Sequence, residues 1–177
     1  MILETERLIL REMNIDDYEA LYDVLADSDI MQHYPYIFDE KRVLGWIERN
    51  IERYRIFGFG LWAVCLKDSG EMIGDCGLTM QNIGGTIKPE IGYHIRKDRQ
   101  RKGYAKESAV TVRDWVFECL PFNEIYSYMK YTNIPSEKSA ESWGCKFVNE
   151  YEDEVNDVIR VYCITRREWE QINRKLY

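Results

Sequence analysis

Three observations predict an α+β protein built on a mixed, mainly antiparallel sheet of about seven strands. Apolar residues alternate in some runs and recur at helical spacing in others, in the order β-α-α-β-β-β-α-β-α-β-β. Short glycine-containing turns join the central strands, as hairpins require. A long helical run then separates two later strands, the signature of a β-α-β crossover.

Each element has a local cause. Residues 5–12 (TERLILRE) alternate around Leu8 and Leu10 and read as the first strand. Asn14 offers a helix cap with Asp17 three residues on, opening a helix with Ile15, Tyr18, Leu21, Tyr22 and Leu25 on one face. A second helix starts near Asp39, carries Val43, Trp46, Ile47, Ile51 and Tyr54 at helical spacing, and ends at Gly58 and Gly60. Three strands follow at 59–66, 72–80 and 86–95, joined by the turns KDSG and QNIGG, whose glycines accept positive φ. A basic loop leads into a helix over 103–119 with Ala105, Ala109, Val112, Val116 and Leu120 along its apolar stripe. Residues 125–131 read as a strand, 136–143 as a short helix behind Asn133, 145–151 and 158–165 as strands. A helical tail bears Trp169 and Ile172.

Composition bounds the partners. The 177 residues carry 24 Lys+Arg and 31 Asp+Glu, a formal net charge of −7, which opposes non-specific binding to nucleic acid or an anionic membrane. The length suits one domain over 1–177, and no repeat or Pro/Gly-rich linker divides it. No apolar run approaches the roughly 20 residues of a membrane-spanning helix, and acids arrive too early for a signal peptide. The five cysteines are dispersed singly without C-x-x-C, so a cytoplasmic protein with reduced thiols and no metal site is expected. Monomer and homodimer both stay open.

The most informative stretch is EIGYHIRKDRQRKGYAKE, residues 90–107. Five of the seven residues from 96 to 102 are Arg or Lys, a net +4 within a chain whose remainder carries −11. The segment joins a strand to a helix whose start holds Gly103 and Ala105. Helix N-termini present unpaired N–H groups and partial positive charge, and a glycine lets an anion approach the backbone, so a pyrophosphate is a natural ligand. The patterns G-x-x-x-x-G-K-[ST] and G-x-G-x-x-G are both absent here, which sets ATP and NAD aside.

Gln100-Arg-Lys-Gly-Tyr-Ala105 resembles the Q/R-x-x-G-x-G/A acetyl-CoA motif of the GNAT superfamily of N-acetyltransferases. The opening Glu4-Thr-Glu-Arg-Leu-Ile-Leu-Arg11 resembles the first strand of its ribosomal-protein (RimJ/RimL-like) branch. Glu90-Ile-Gly-Tyr93 resembles that branch's splayed strand, and Asn133-Ile-Pro-Ser136 with Trp143-Gly144 its N-x-x-S…G-F segment. The resemblance implies a three-layer α/β/α fold and transfer of an acetyl group from acetyl-CoA to a primary amine, a peptide N-terminus or a small molecule. It implies that Gln100, Arg101, Lys102, Gly103, Tyr104 and Ala105 bind acetyl-CoA, with the backbone amides of 101–105 and the Arg101 and Lys102 side chains at the pyrophosphate. Main-chain groups of His94 and Ile95 would meet the pantetheine arm, as would Asn133, with Ser136 close by. Two positions depart from the pattern: Cys145 stands for the Phe, and Ala140 stands where many members carry a tyrosine acid.

Transfer to an amine needs a base, because a free amine is mostly protonated at pH 7. Alternation puts Glu90, Gly92 and His94 on one strand face. The two polar residues are base candidates, roughly 13 Å apart along the strand and so not a direct dyad. Tyr131, near Asn133, is a candidate donor to the thiolate, and Tyr34 and Tyr36 are candidate acceptor-pocket residues among 13 tyrosines. The dispersed cysteines favour direct attack over a thiol intermediate. The acidic body expects a cationic acceptor by steering. The competing expectation is a catalytically weak or inactive CoA-binding sensor or interaction module.

Overall fold

The computed structural model describes residues 2–174. Eight strands form one sheet: β1 (Ile2–Glu4), β2 (Leu8–Arg11), β3 (Leu61–Leu66), β4 (Met72–Ile83), β5 (Thr86–Ile95), β6 (Glu124–Lys130), β7 (Lys146–Asp153) and β8 (Asp157–Thr165). Their spatial order is β1-β2-β3-β4-β5-β6-β8-β7. The helices are α1 (Tyr18–Leu25), α2 (Glu40–Phe57), α3 (Tyr104–Cys119), α4 (Ile134–Ser142) and α5 (Arg166–Arg174).

The predicted first strand over 5–12 shortens to β2, and an additional strand, β1, precedes it, which raises the count from about seven to eight. The cause is local: Thr5 Oγ1 accepts the N–H groups of Leu8 (2.7 Å) and Arg7 (3.2 Å). A side-chain turn of this kind competes with the ladder, so the chain reverses and Leu3 pairs with Leu10. The other caps fall where the sequence places them. Asn14 and Asp17 form a reciprocal capping box ahead of α1, Asp39 Oδ1 accepts the Arg42 N–H at 2.9 Å, and Gly58 ends α2 with φ of 75°.

Every strand pair is antiparallel except β5 and β6, whose parallel pairing is a single register position, Glu90 opposite Tyr126. Beyond it the two strands diverge, leaving a wedge-shaped gap in the sheet. On one face α1 and α2 bury Leu21, Val24, Val43 and Ile47 against Leu61, Ala63 and Cys65 of β3. On the other face α3 and α4 bury Ala109, Val112, Val116 and Trp143 against Trp62, Val64, Leu78 and Ile91. The three layers thus meet across a sheet that is split at its centre.

Candidate active site

The basic loop divides its charge unevenly. Arg96 pairs with Glu71 (2.5 Å) and Asp98 (2.6 Å), Arg99 with Glu71 (2.6 Å), and Lys97 with Asp29. These three cations are spent on shaping the loop. Arg101 and Lys102 stay exposed and without carboxylate partners among the described residues. Arg101 has φ of 58° and Gly103 φ of 85°, so the chain turns through the left-handed region just before α3. The first helical bond runs from the Glu107 N–H to the Gly103 carbonyl at 3.0 Å. None of the N–H groups of residues 101–106 donates to a protein acceptor among the described residues. Successive unpaired amides beside a helix start form a cradle for an oxyanion, which fits the pyrophosphate the motif implies. Gln100 acts differently: its Nε2 donates to the Ile95 carbonyl at 2.9 Å and ties the loop to β5.

The TER turn between β1 and β2 braces this cradle, a role the sequence does not reveal. Arg7 donates through Nη1 to the Lys102 carbonyl (3.0 Å) and through Nε to Glu107 Oε2 (2.7 Å), while Thr5 Oγ1 donates to Glu107 Oε1 (2.5 Å). Burial alone would raise the Glu107 carboxyl, but these donors outweigh it and hold the carboxyl below its ordinary range. The Arg7 guanidinium also lies over the Tyr104 ring, 4.5 Å from its centroid. Arg7→Gln is therefore expected to raise the KM for acetyl-CoA by about tenfold, the worth of one charge-assisted hydrogen bond, with kcat within about twofold. Initial-rate kinetics with acetyl-CoA varied would check this.

At the gap, the His94 N–H turns towards β4 and donates to Asp75 Oδ1 at 3.1 Å. An added Cβ on Gly74 of β4 would lie 2.0 Å from the His94 carbonyl. The His94 main chain is thus engaged with β4, and strand alternation turns Tyr93 and Ile95 towards the opening. Past β6, Asn133 Oδ1 caps α4 by accepting the Ser136 N–H at 3.2 Å, and the Ser136 carbonyl accepts from the Tyr93 hydroxyl at 3.3 Å. Asn133 keeps its amide N–H groups for another partner. Tyr131 is anchored through its N–H to the Val158 carbonyl (2.9 Å), and the residue is 38% exposed. Ala140 and Cys145 are both packed in the core.

Glu90, Gly92 and His94 do share the α1/α2 face of β5, and the structure adds their partners. Glu90 is only 8% exposed and accepts from Thr79 Oγ1 at 2.9 Å, while Gln81 Nε2 donates to Thr79 Oγ1 at 3.1 Å. The Glu90 carboxylate lies over Gly92, where an added Cβ would meet Oε1 at 3.1 Å. Burial pushes the Glu90 carboxyl up to about 7, moderated by the Thr79 hydrogen bond and the charges of His94 and Arg53. No hydrogen bond joins Glu90 to His94 among the described residues, in keeping with their spacing.

His94 belongs to a relay of its own. Its Nδ1 is 2.8 Å from Asp75 Oδ1, and its Nε2 is 2.9 Å from the Tyr34 hydroxyl. Trp46 Nε1 donates to the other Asp75 oxygen at 2.9 Å. Burial alone would lower His94, but the charge and hydrogen bond of Asp75 raise it on balance. Burial pushes the Tyr34 hydroxyl up, helped by the charges of Glu90 and Asp75, so it remains an O–H donor. In the neutral ring Nδ1–H donates to Asp75 and Nε2 accepts from Tyr34, and in the protonated ring both nitrogens donate. The rings of Tyr34 and Tyr36 lie 6.1 Å apart, and Arg42 covers Tyr36 at 4.3 Å. His33 meets Thr132 at 3.4 Å, so the α1–α2 loop touches both sides of the gap. Asp75 is detectable in sequence as a lone acid in the apolar run MIGDCGL, but its three hydrogen bonds depend on folding.

Comparison with known proteins agrees with this geometry. Residues 7–146 match the model of the acetyltransferase (GNAT) domain. The Bacillus subtilis (strain 168) protein YkkB is 30% identical over 146 residues, covering 82% of this chain and 85% of YkkB. A GNAT-family acetyltransferase from Bacillus anthracis superposes with a TM-score of 0.81 at 22% identity, covering 94% of this chain and 99% of that one. RimL, a ribosomal L7/L12 alpha-N-protein acetyltransferase solved in complex with coenzyme A, superposes with a TM-score of 0.77 at 16% identity, covering 93% and 98%. An open seam between parallel strands, an amide cradle at the following helix and a match over most of the chain lead to one assignment: this protein belongs to the GNAT acetyltransferase family.

Proposed function

We propose that the protein moves an acetyl group from acetyl-CoA directly to a primary amine, with Glu90 as the base. The buried Glu90 carboxyl, held at about 7, carries this reading. A carboxylate tuned to neutral pH can accept a proton from an ammonium group and return it to water within each turnover. The amides of residues 101–106, with Arg101 and Lys102, hold the pyrophosphate. The pantetheine arm runs into the gap beside Tyr93 and Ile95, and Asn133 and Ser136 border it. Acetyl-CoA supplies an activated thioester, and N–H groups on the open edge of β5 polarise its carbonyl. Tyr131 donates a proton to the departing thiolate.

His94 is the second proton-handling group, and through Nε2 it fixes the Tyr34 hydroxyl at the acceptor side. Tyr34 and Tyr36 wall that side. Burial raises Cys76, and burial raises Cys145; thiols of that kind are poor nucleophiles, which supports direct attack. The acceptor is a peptide N-terminus or a small-molecule amine, as in the RimJ/RimL-like branch. The five free cysteines suit a cytoplasmic setting. The described residues contain no helix long and apolar enough to cross a membrane.

One observation favours a second reading. Ala140 is fully buried at the position of the usual tyrosine acid, which suits a CoA-binding module without turnover. Thiol release from acetyl-CoA in the presence of a panel of primary amines separates the two. Amine-dependent release is expected, and acetyl-CoA binding without release by any amine would overturn the enzymatic reading.

A further inference from the structure

Helix α2 carries a stripe that neither the cradle nor Glu90 uses. Arg42, Trp46, Arg49 and Arg53 recur at intervals of four, three and four, so they share one face of the helix. That face looks over the acceptor side. Trp46 donates to Asp75 and lies 5.7 Å from the His94 ring, and Arg42 covers Tyr36. Arg49 stands over Trp46, with its guanidinium carbon 5.8 Å from a ring centroid. Arg53 is half-buried and donates to Asn50 Oδ1 at 3.2 Å, the same oxygen that accepts the Leu61 N–H at 2.9 Å.

The sheet beneath this stripe is built from glycines beside Glu90. Leu61 pairs with Gly77 and Gly77 with Gly92, so glycines occupy the α2-facing row of β4 and β5 beside Glu90. No side chain therefore rises from this row: the Gly60–Leu61 backbone lies against Gly77, and the Glu90 carboxylate itself lies over Gly92, on the face that α2 covers.

Charge balance distinguishes these arginines from the others. Arg55, on the same helix, pairs with Glu52 at 2.7 Å, and the loop residues Arg96 and Arg99 pair with Glu71. None of Arg42, Arg49 and Arg53 has a carboxylate partner among the described residues. Arg53 is pressed by burial and by the neighbouring charge of Arg49, which outweigh the pull of Glu90 and lower its hold on its proton. Two like charges, one of them half-desolvated, are an unfavourable arrangement until an anion arrives. A guanidinium fork suits a planar or tetrahedral oxyanion by paired N–H···O bonds.

We infer that Arg49 and Arg53 form an oxyanion subsite in the acceptor chamber, so that the acceptor is a small primary amine that also bears a carboxylate or phosphate. The amine lies at Glu90 and the oxyanion at the arginines. This deepens the acetyl-transfer reading and rests on it for the amine. The local charge thus selects differently from the overall −7, which steers cations only at long range.

The test uses the full chain and two readouts. In calorimetric titration, glutarate and inorganic phosphate probe the subsite without an amine. At least one is expected to bind the wild-type protein, and about tenfold more weakly the Arg49→Gln/Arg53→Gln protein, the equivalent of one lost charge-assisted contact. The tighter of the two tells carboxylate from phosphate. Arg53→Lys, which keeps the charge and loses the fork, is expected to fall between. In turnover, an amine bearing the favoured oxyanion should exceed the matched plain amine in kcat/KM by about tenfold or more, and the double substitution should remove that advantage. Equal probe binding by both proteins, or preference for plain or dicationic amines, would overturn the subsite. Arginine-dependent probe binding with no amine-dependent thiol release would uphold the subsite and overturn only the acetyl-transfer reading.

Discussion

Glu90→Gln is expected to lower kcat at neutral pH by at least about tenfold while making the protein more stable at pH 8. The two effects share one cause. Burial raises the Glu90 carboxyl from its ordinary 4.5 to about 7, so between those pH values the native protein keeps a proton that the unfolded chain has released. Stability from this group therefore falls as pH rises through that window, and above about 7 the full cost of a buried carboxylate is present. Glutamine has no charge to bury, and its amide oxygen still accepts from Thr79. The gain at pH 8 is on the order of 1–3 kcal/mol, because each tenfold change in proton affinity is worth about 1.4 kcal/mol. It should vanish near pH 4. Wild-type kcat/KM should rise as pH passes about 7, where Glu90 becomes able to accept a proton. Thermal melts at pH 5 and 8 together with a pH–rate profile check both halves, and unchanged turnover in the variant would exclude Glu90 as the base.

Gly77→Ala, like Gly74→Ala, is expected to be among the most damaging single methyls in the sheet. Its Cβ would stand 2.0 Å from the Gly60 carbonyl oxygen and 2.7 Å from the Leu61 Cα. Both are backbone atoms of the neighbouring chain segment, so no side-chain rotation relieves the clash. Overpacking typically costs about 1–3 kcal/mol and backbone contacts lie at the upper end. About 3 kcal/mol would lower Tm by roughly 6–12 °C in a chain of this size. Gly92→Ala is different in kind, because its Cβ meets the Glu90 carboxylate at 3.1 and 3.2 Å rather than the main chain. A circular-dichroism melt of the Gly77 variant checks the first claim, and a native-like Tm would refute it.

The elements legible in the sequence are those with local causes. Asp39 and Gly58 bound α2 because a side-chain cap and a left-handed glycine act within one turn. The alternation that puts Glu90 and His94 on one face needs only a strand. The eighth strand is hidden because Ile2–Glu4 is three residues long and exposed or half-buried, so no alternation marks it. At the site, the glycine of the cradle and the carboxylate at 90 are readable, since motif and spacing lie within the chain's own neighbourhood. The roles of Arg7 and Asp75 are not. Arg7 reaches Glu107 across 100 positions, and Asp75 meets Trp46 across 29. The net charge of the basic loop misleads in one respect: three of its five cations are neutralised by acids, and only folding brings Glu71 and Asp29 to them.

The single rung between β5 and β6 has a mechanical consequence. The eight strands behave as two leaves, one of five strands and one of three, joined at a hinge. No ladder of backbone bonds fixes how far the leaves open. That angle is set by what wedges and clasps them: α3 and α4 beneath, through Val116 and Trp143 packed in one core with Met129 of β6, and the His33–Thr132 and Tyr34–His94 contacts above. Aperture is therefore a packing variable. Substitutions in the core behind the seam can widen or narrow the passage without touching a residue that faces it.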